Sequence, residues 1–186
     1  MSLDMPNRFS RITIILHWIV ALSMIGLLAV GVYMVETKAY GLYAWHKSFG
    51  FLLFFVVVVR VAWRLKNGWP TPVREYPTIE QSLAKAVHWA LIIGTVLMPL
   101  SGFLMSAFGG HGVDVFGLEV VARNADPENP VKAIAHNQTI AGLCSAIHHW
   151  LGYILIAAVI LHVSAAFKHH AIDKDGTLKR MLGKTV

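Results

Sequence analysis

Ten histidines occur among 186 residues, and five of them fall in SAIHHWLGYILIAAVILHVSAAFKHH, residues 145–170, a stretch that is otherwise apolar. An unpaired imidazole buried in hydrocarbon costs free energy, so histidines placed there imply a partner: a metal, a proton pathway or a polar group on a neighbouring helix. His148 and His162 are 14 residues apart. At 100° and 1.5 Å per residue they share one helix face to within about 40° and stand about 21 Å apart. His46 and Arg60 repeat the same interval in a second apolar run, and His17 lies in a third. Imidazoles at two depths of one bundle would suit two metal centres, one above the other.

The elements that must position these residues follow from composition. Charged residues make up only 14% of the chain and hydrophobic ones 56%, where a soluble domain carries roughly 25% charged residues. Four apolar runs, about 12–35, 43–65, 84–108 and 145–167, are each long enough for a spanning helix of about 20 residues. They must be helices, because a lone strand leaves its backbone unsatisfied in lipid. The expected fold is an all-α membrane protein, a four-helix transmembrane bundle forming one domain over residues 1–186. The segment KNGWPTPVREYPTIEQ breaks the second helix from the third, Pro99 should kink the third, and residues 109–143 read as the longest loop. No cleavable signal peptide is expected. The single cysteine, Cys144, excludes an internal disulfide and any cysteine-cluster metal site.

Charge sets the orientation. Placing both termini and the segment from Arg60 to Lys85 on one side gathers 12 of the 16 Lys and Arg there, leaving Lys38, Lys47, Arg123 and Lys132 opposite. By the positive-inside rule the termini are cytoplasmic. The net charge of +6 is then an anchoring rim on the inner leaflet rather than a nucleic-acid surface, since no soluble domain carries one. With this topology His17 and His162 share a cytoplasmic level, and His46 and His148 a periplasmic one.

Two haem b groups would use this arrangement, each iron taking one imidazole from each of two helices: His17 with His162, and His46 with His148. A flat porphyrin needs small residues beside its ligands, and Gly50 and Gly152 follow His46 and His148 by four, on the ligands' own faces. Arg60, with Arg11 or Arg64, would pair with the haem propionates. Absence of a Cys-x-x-Cys-His run means the haems are not covalently attached. If the electrons leave to a quinone, whose reduction takes up protons, His88, Lys168, His169 and His170 are the candidates for its site near the cytoplasmic face. His111, His136 and His149 read as surface or non-ligating groups.

The stretches RFSRITIILHWIVA, WHKSFGFLLFFVVVVRVAWRL and HHWLGYILIAAVILHVSAAFKHHAIDKDGTLKRMLGK resemble the bacterial cytochrome b561 family over nearly the whole chain, the closing basic segment most specifically. The resemblance implies an inner-membrane four-helix protein with two b haems on His17, His46, His148 and His162, exchanging electrons with ubiquinone, and at least one member oxidises superoxide at the periplasmic face. In this chain the outer loop carries Asp114, Glu119, Asp126 and Glu128 against Arg123 and Lys132, which works against an anionic donor unless Lys47 and Lys132 dominate locally. Two other functions fit the residues. One is a membrane-anchor subunit fed by a periplasmic redox partner. The other is a histidine-relay transporter, which more often carries acids within its spans.

Overall fold

The structure, a computed structural model, describes residues 3–186. Four long helices dominate it: α1 (Arg11–Thr37), α2 (Tyr43–Asn67), α3 (Thr78–Phe108) and α4 (Gln138–Ala171). The shortest has 25 residues, which at 1.5 Å each exceeds the roughly 30 Å hydrocarbon core. Their most apolar stretches have mean hydropathies of 1.9 to 2.3. The chain is an all-α membrane protein, a four-helix transmembrane bundle.

The helix ends differ from the expected ones because hydropathy marks the lipid-embedded part, whereas capping decides where a helix stops. The Ser10 hydroxyl accepts the Thr13 N–H at 3.2 Å and starts α1. Asn137 does the same for Ile140 at 3.0 Å, so α4 begins seven residues before the expected Ser145 and runs on to Ala171. His169 and His170 therefore belong to the last turn of α4 rather than to the tail. The third helix begins at Thr78, ahead of the expected Ala84. The segment expected to be an irregular loop instead holds an antiparallel hairpin, β1 (Val113–Val115) and β2 (Leu118–Val121).

Packing divides the bundle. The backbones of α3 and α4 run close together, and Gly94 shows how close: a Cβ there would lie 2.6 Å from Leu155 Cδ2. α1 packs on α2, and α2 on α3, but α4 meets the backbone of α1 only briefly and does not pack closely along α2. The small buried core, Val20, Met24 and Leu28 of α1, Leu53 and Val57 of α2 and Leu155 of α4, lies midway along the bundle. A slot therefore separates α4 from the α1–α2 pair, and side chains rather than close backbones must bridge it.

One end of the bundle carries both chain termini, and the other carries the hairpin. At the terminal end the short helix α5 (Thr177–Met181) drives Arg180 inward to 4% exposure. Its Nη1 donates to the carbonyls of Pro6 at 2.8 Å and Thr71 at 3.0 Å. The Trp18 indole donates to the Met181 carbonyl at 3.0 Å. N-terminus, α2–α3 connector and C-terminus are thus tied into one clasp.

Candidate functional site

At the hairpin end, His46 of α2 and His148 of α4 face each other across the slot with ring centroids 6.3 Å apart and planes at 85°. Two imidazoles on one iron, each through a bond of about 2 Å, hold their centroids roughly 6 Å apart. His148 Nδ1 donates to the Met98 carbonyl at 2.9 Å, with Ser101 Oγ 3.3 Å away. That bond fixes the tautomer and leaves the Nε2 lone pair free, the arrangement a metal-binding imidazole uses. His46 Nδ1 is buried without a hydrogen-bond partner among the described residues. An apolar cavity lined by Met24, Leu28, Gly50, Phe51, Gly102 and Val113 surrounds the two rings.

At the terminal end, His17 of α1 and His162 of α4 lie 6.2 Å apart by centroid, with planes at 53°. Arg60 Nη2 donates to His17 Nδ1 at 3.1 Å. No carboxylate pairs with Arg60 among the described residues, so the guanidinium rests on a neutral acceptor and its charge is uncompensated. A nitrogen that accepts this bond carries no proton, which leaves the proton on Nε2. An iron at His17 Nε2 therefore requires the proton to move to Nδ1 and Arg60 to turn to an anion. A propionate is an anion of the right kind. The donor set fits b-type haem as it stands at the hairpin end, and at the terminal end once Arg60 is given an anion.

A family model described as prokaryotic cytochrome b561 matches residues 8–184. The chain belongs to that family. It is a bacterial membrane cytochrome of the b type and takes part in electron transfer. Cytochrome b561 homolog 2 of Escherichia coli K12 is 37% identical to it over 188 residues, covering 97% of this chain and 94% of that protein. Cytochrome b561 homolog 1 of the same strain is 30% identical, covering 95% and 97%. A Yersinia pestis protein named "Probable superoxide oxidase CybB" is 24% identical, covering 97% and 98%.

Other expected site residues of this cytochrome b561 are placed as follows. Gly50 has open space where a Cβ would stand, and at Gly152 a Cβ would meet the Met98 methyl at 3.5 Å. Arg11 is exposed at the start of α1. Arg64 is bound to Asp4 at 2.9 Å, so it is not free to help Arg60. Among the four expected quinone residues only His88 reaches the histidine pairs, its ring 5.5 Å from that of His162 and stacked with Trp69. Lys168 is held by Glu80 at 2.8 Å and Asp173 at 2.9 Å. His169 Nδ1 lies 3.1 Å from Asp173 and 2.9 Å from Asp175, and His170 is exposed. These three stand two helical turns beyond His162, about 10 Å along the axis. Lys47 is also not a free surface cation: its ammonium donates to the Gly112 carbonyl at 3.0 Å, beneath the hairpin.

Residues the sequence did not single out complete the hairpin-end site. Ser101 and the Met98 carbonyl orient His148, and Gly102 makes room for it, since a Cβ there would lie 2.9 Å from His148 Cε1. Gly102→Val should push the ring off its bond to Met98 and lower haem content by up to half, the loss confined to the hairpin-end site. Haem-to-protein ratio and low-temperature spectra of the purified variant check this.

The carboxylate cluster gives a pH expectation for the clasp. Burial raises the pKa of Asp175, but the Thr177 N–H, the Tyr76 and Thr177 hydroxyls and His169 outweigh it and bring it to about 2, below the ordinary 3.8. A depressed carboxylate pKa stabilises the fold above the unfolded value and loses that contribution as pH falls through the folded one. The clasp should hold fully above pH 3.8 and loosen toward about 2. Asp175→Asn should lower the melting temperature by a few degrees at neutral pH, and the difference from the parent should shrink across that acid window.

Proposed function

We propose that this cytochrome binds two b haems, on His46 with His148 and on His17 with His162, and carries electrons from a donor at the hairpin end to ubiquinone. The observation that carries the reading is the pair of facing imidazoles at each of two levels, 6.3 and 6.2 Å between centroids, in a slot that the backbones leave open. When bound, haem supplies one-electron redox chemistry, which the protein tunes through axial ligands, burial and nearby charge. His148 is held in its ligating tautomer by the Met98 carbonyl. Arg60 serves the terminal-end level as counter-charge to propionate. His88 is the titratable group best placed to meet a quinone beside His162. The Glu80, Lys168, His169 and Asp173 cluster, partly exposed at the terminal end, puts ionisable groups on that side. The clustering of Lys and Arg at the terminal end supports a cytoplasmic side for it.

The test is a reduced-minus-oxidised spectrum of the purified protein with a haem-to-protein ratio. Two haems per chain, both reoxidised by a soluble ubiquinone, are expected. A ratio of one would remove the two-level reading, and a colourless protein would remove the redox function altogether.

Superoxide is the donor suggested by the name of the Yersinia relative. A second reading, a subunit fed by a periplasmic redox protein, is favoured by the hairpin, whose outward residues Asp114 and Glu119 are both exposed acids while Lys47 is occupied beneath them. Rapid mixing with superoxide separates the two. Haem reduction within the mixing time supports the free-standing oxidase; no reduction, with reduction by a co-purifying periplasmic protein, supports the subunit.

A further inference from the structure

The hairpin presents a conflict between local conformation and residue type. Its two-residue turn is Phe116–Gly117, with φ of 51° and 89°, values of a type I′ turn, where Asn-Gly is the favoured pair. A bulky side chain in the left-handed region is strained. Phe116 does not recover this by burial in the protein: it is 50% exposed although its ring meets Phe49 at 5.2 Å and Trp45 at 5.8 Å. Those two partners are themselves more than half exposed. With Leu52 they form a stripe at i, i+4 and i+7 along α2, which is part of the surface this helix turns to lipid.

The rest of the hairpin is two-faced. Asp114 pairs directly across from Glu119, and like charges opposite one another are tolerated only where water screens them. Leu118, the neighbour of Glu119 and therefore on the opposite face, is 70% exposed. The base is fixed to α2: Ser48 Oγ donates to the Asp114 carbonyl at 3.1 Å and accepts the Phe116 N–H at 3.1 Å. Val113, 2% exposed, closes the cavity around His46 and His148.

We infer that the hairpin tip, Phe116 to Leu118, is immersed in the headgroup and acyl boundary of the leaflet at the hairpin end, so that the strand pair is held between α2 and lipid with its acids toward water. The occupant of this apolar surface is the bilayer, because the tip continues without a break the lipid-facing stripe of α2, at the level where aromatic side chains collect at membrane interfaces. Lipid supplies the apolar environment that the strained Phe116 lacks within the protein, and it keeps Val113 seated over the cavity.

Single cysteines at Leu118 and at Glu119, each in a Cys144→Ala chain loaded with haem, are spin-labelled in phospholipid vesicles. Collision with oxygen, which concentrates in lipid, is compared with collision with a water-soluble nickel chelate. The ratio of oxygen to nickel collision should be several-fold higher at 118 than at 119. Adding Phe116→Asn, which suits the turn and should leave the fold intact in detergent, should bring the ratio at 118 down to that at 119. Equal nickel access at both positions overturns the inference by placing the tip in water. Shielding of 118 from both reagents overturns it in favour of a second copy of the chain or a protein partner.

Discussion

His148→Ala should purify with one haem instead of two, the survivor being the one at the terminal end, and His162→Ala should do the converse. Among the described residues His148 faces His46, and His162 faces His17 and His88. On α4 the two are 14 residues apart, about 21 Å, so neither can substitute for the other. Each substitution removes one of the two iron–nitrogen bonds at its level, in a slot that the backbones leave open, and loss of the group rather than a spectral shift is expected. The level at which haem remains is read from the position and splitting of the low-temperature α-band, compared between the two variants. If either variant kept two haems with unaltered spectra, the pairing would be wrong. The terminal-end experiment has an added sensitivity. His88 lies 5.5 Å from His162, so His17→Ala tests whether His88 can move in as a replacement ligand, with a partial haem complement as the sign that it does.

Arg60→Leu should lower the midpoint potential of the terminal-end haem by several tens of millivolts and leave the other nearly unmoved. Ferrous haem carries one less positive charge than ferric, so a nearby cation favours reduction, and removing it makes the potential more negative. A unit charge acting over roughly 10 Å through an effective dielectric of about 20 is worth about 1.7 kcal/mol, and salt and a propionate partner reduce that. Arg60 touches His17 at 3.1 Å and stands 14 residues from His46 on α2, which is why the effect should be one-sided. A potentiometric titration of both haems checks it; an upward shift, or equal shifts, would contradict the assignment. Arg60→Lys should recover part of the shift, since it keeps the charge and loses the planar fork.

The sites were legible where they depend on regular spacing. A 14-residue interval on a helix is nearly four turns, so the shared face of His148 and His162, and of His46 and Arg60, followed from helical geometry alone. Gly102 was not legible, because it acts by what it lacks: only the approach of His148 from another helix distinguishes it from the other glycines. The Met98 carbonyl that orients His148 has no side-chain signature at all. Arg64 seemed available for propionate because its partner, Asp4, is 60 residues away in the chain, where only folding brings it within 2.9 Å. The hairpin was hidden for a chemical reason. Its strands are three and four residues long, and a phenylalanine occupies the turn position where asparagine would have announced it. Helix ends were misplaced because lipid thickness governs hydropathy, whereas Asn137 and the Ser10 hydroxyl govern where the helices begin.

The slot between α4 and the α1–α2 pair bears on how the molecule is put together. Two helical hairpins, one from each half of the chain, meet mainly where α2 runs beside α3, and the remaining seam is spanned by Leu155 at mid-height and by imidazoles toward either end. On the proposed pairing of His46 with His148 and of His17 with His162, bound haem would brace the two halves of a chain that has only one cysteine. Without haem the chain would lack that brace and Arg60 its anion, so the haem-free protein should be the less stable form.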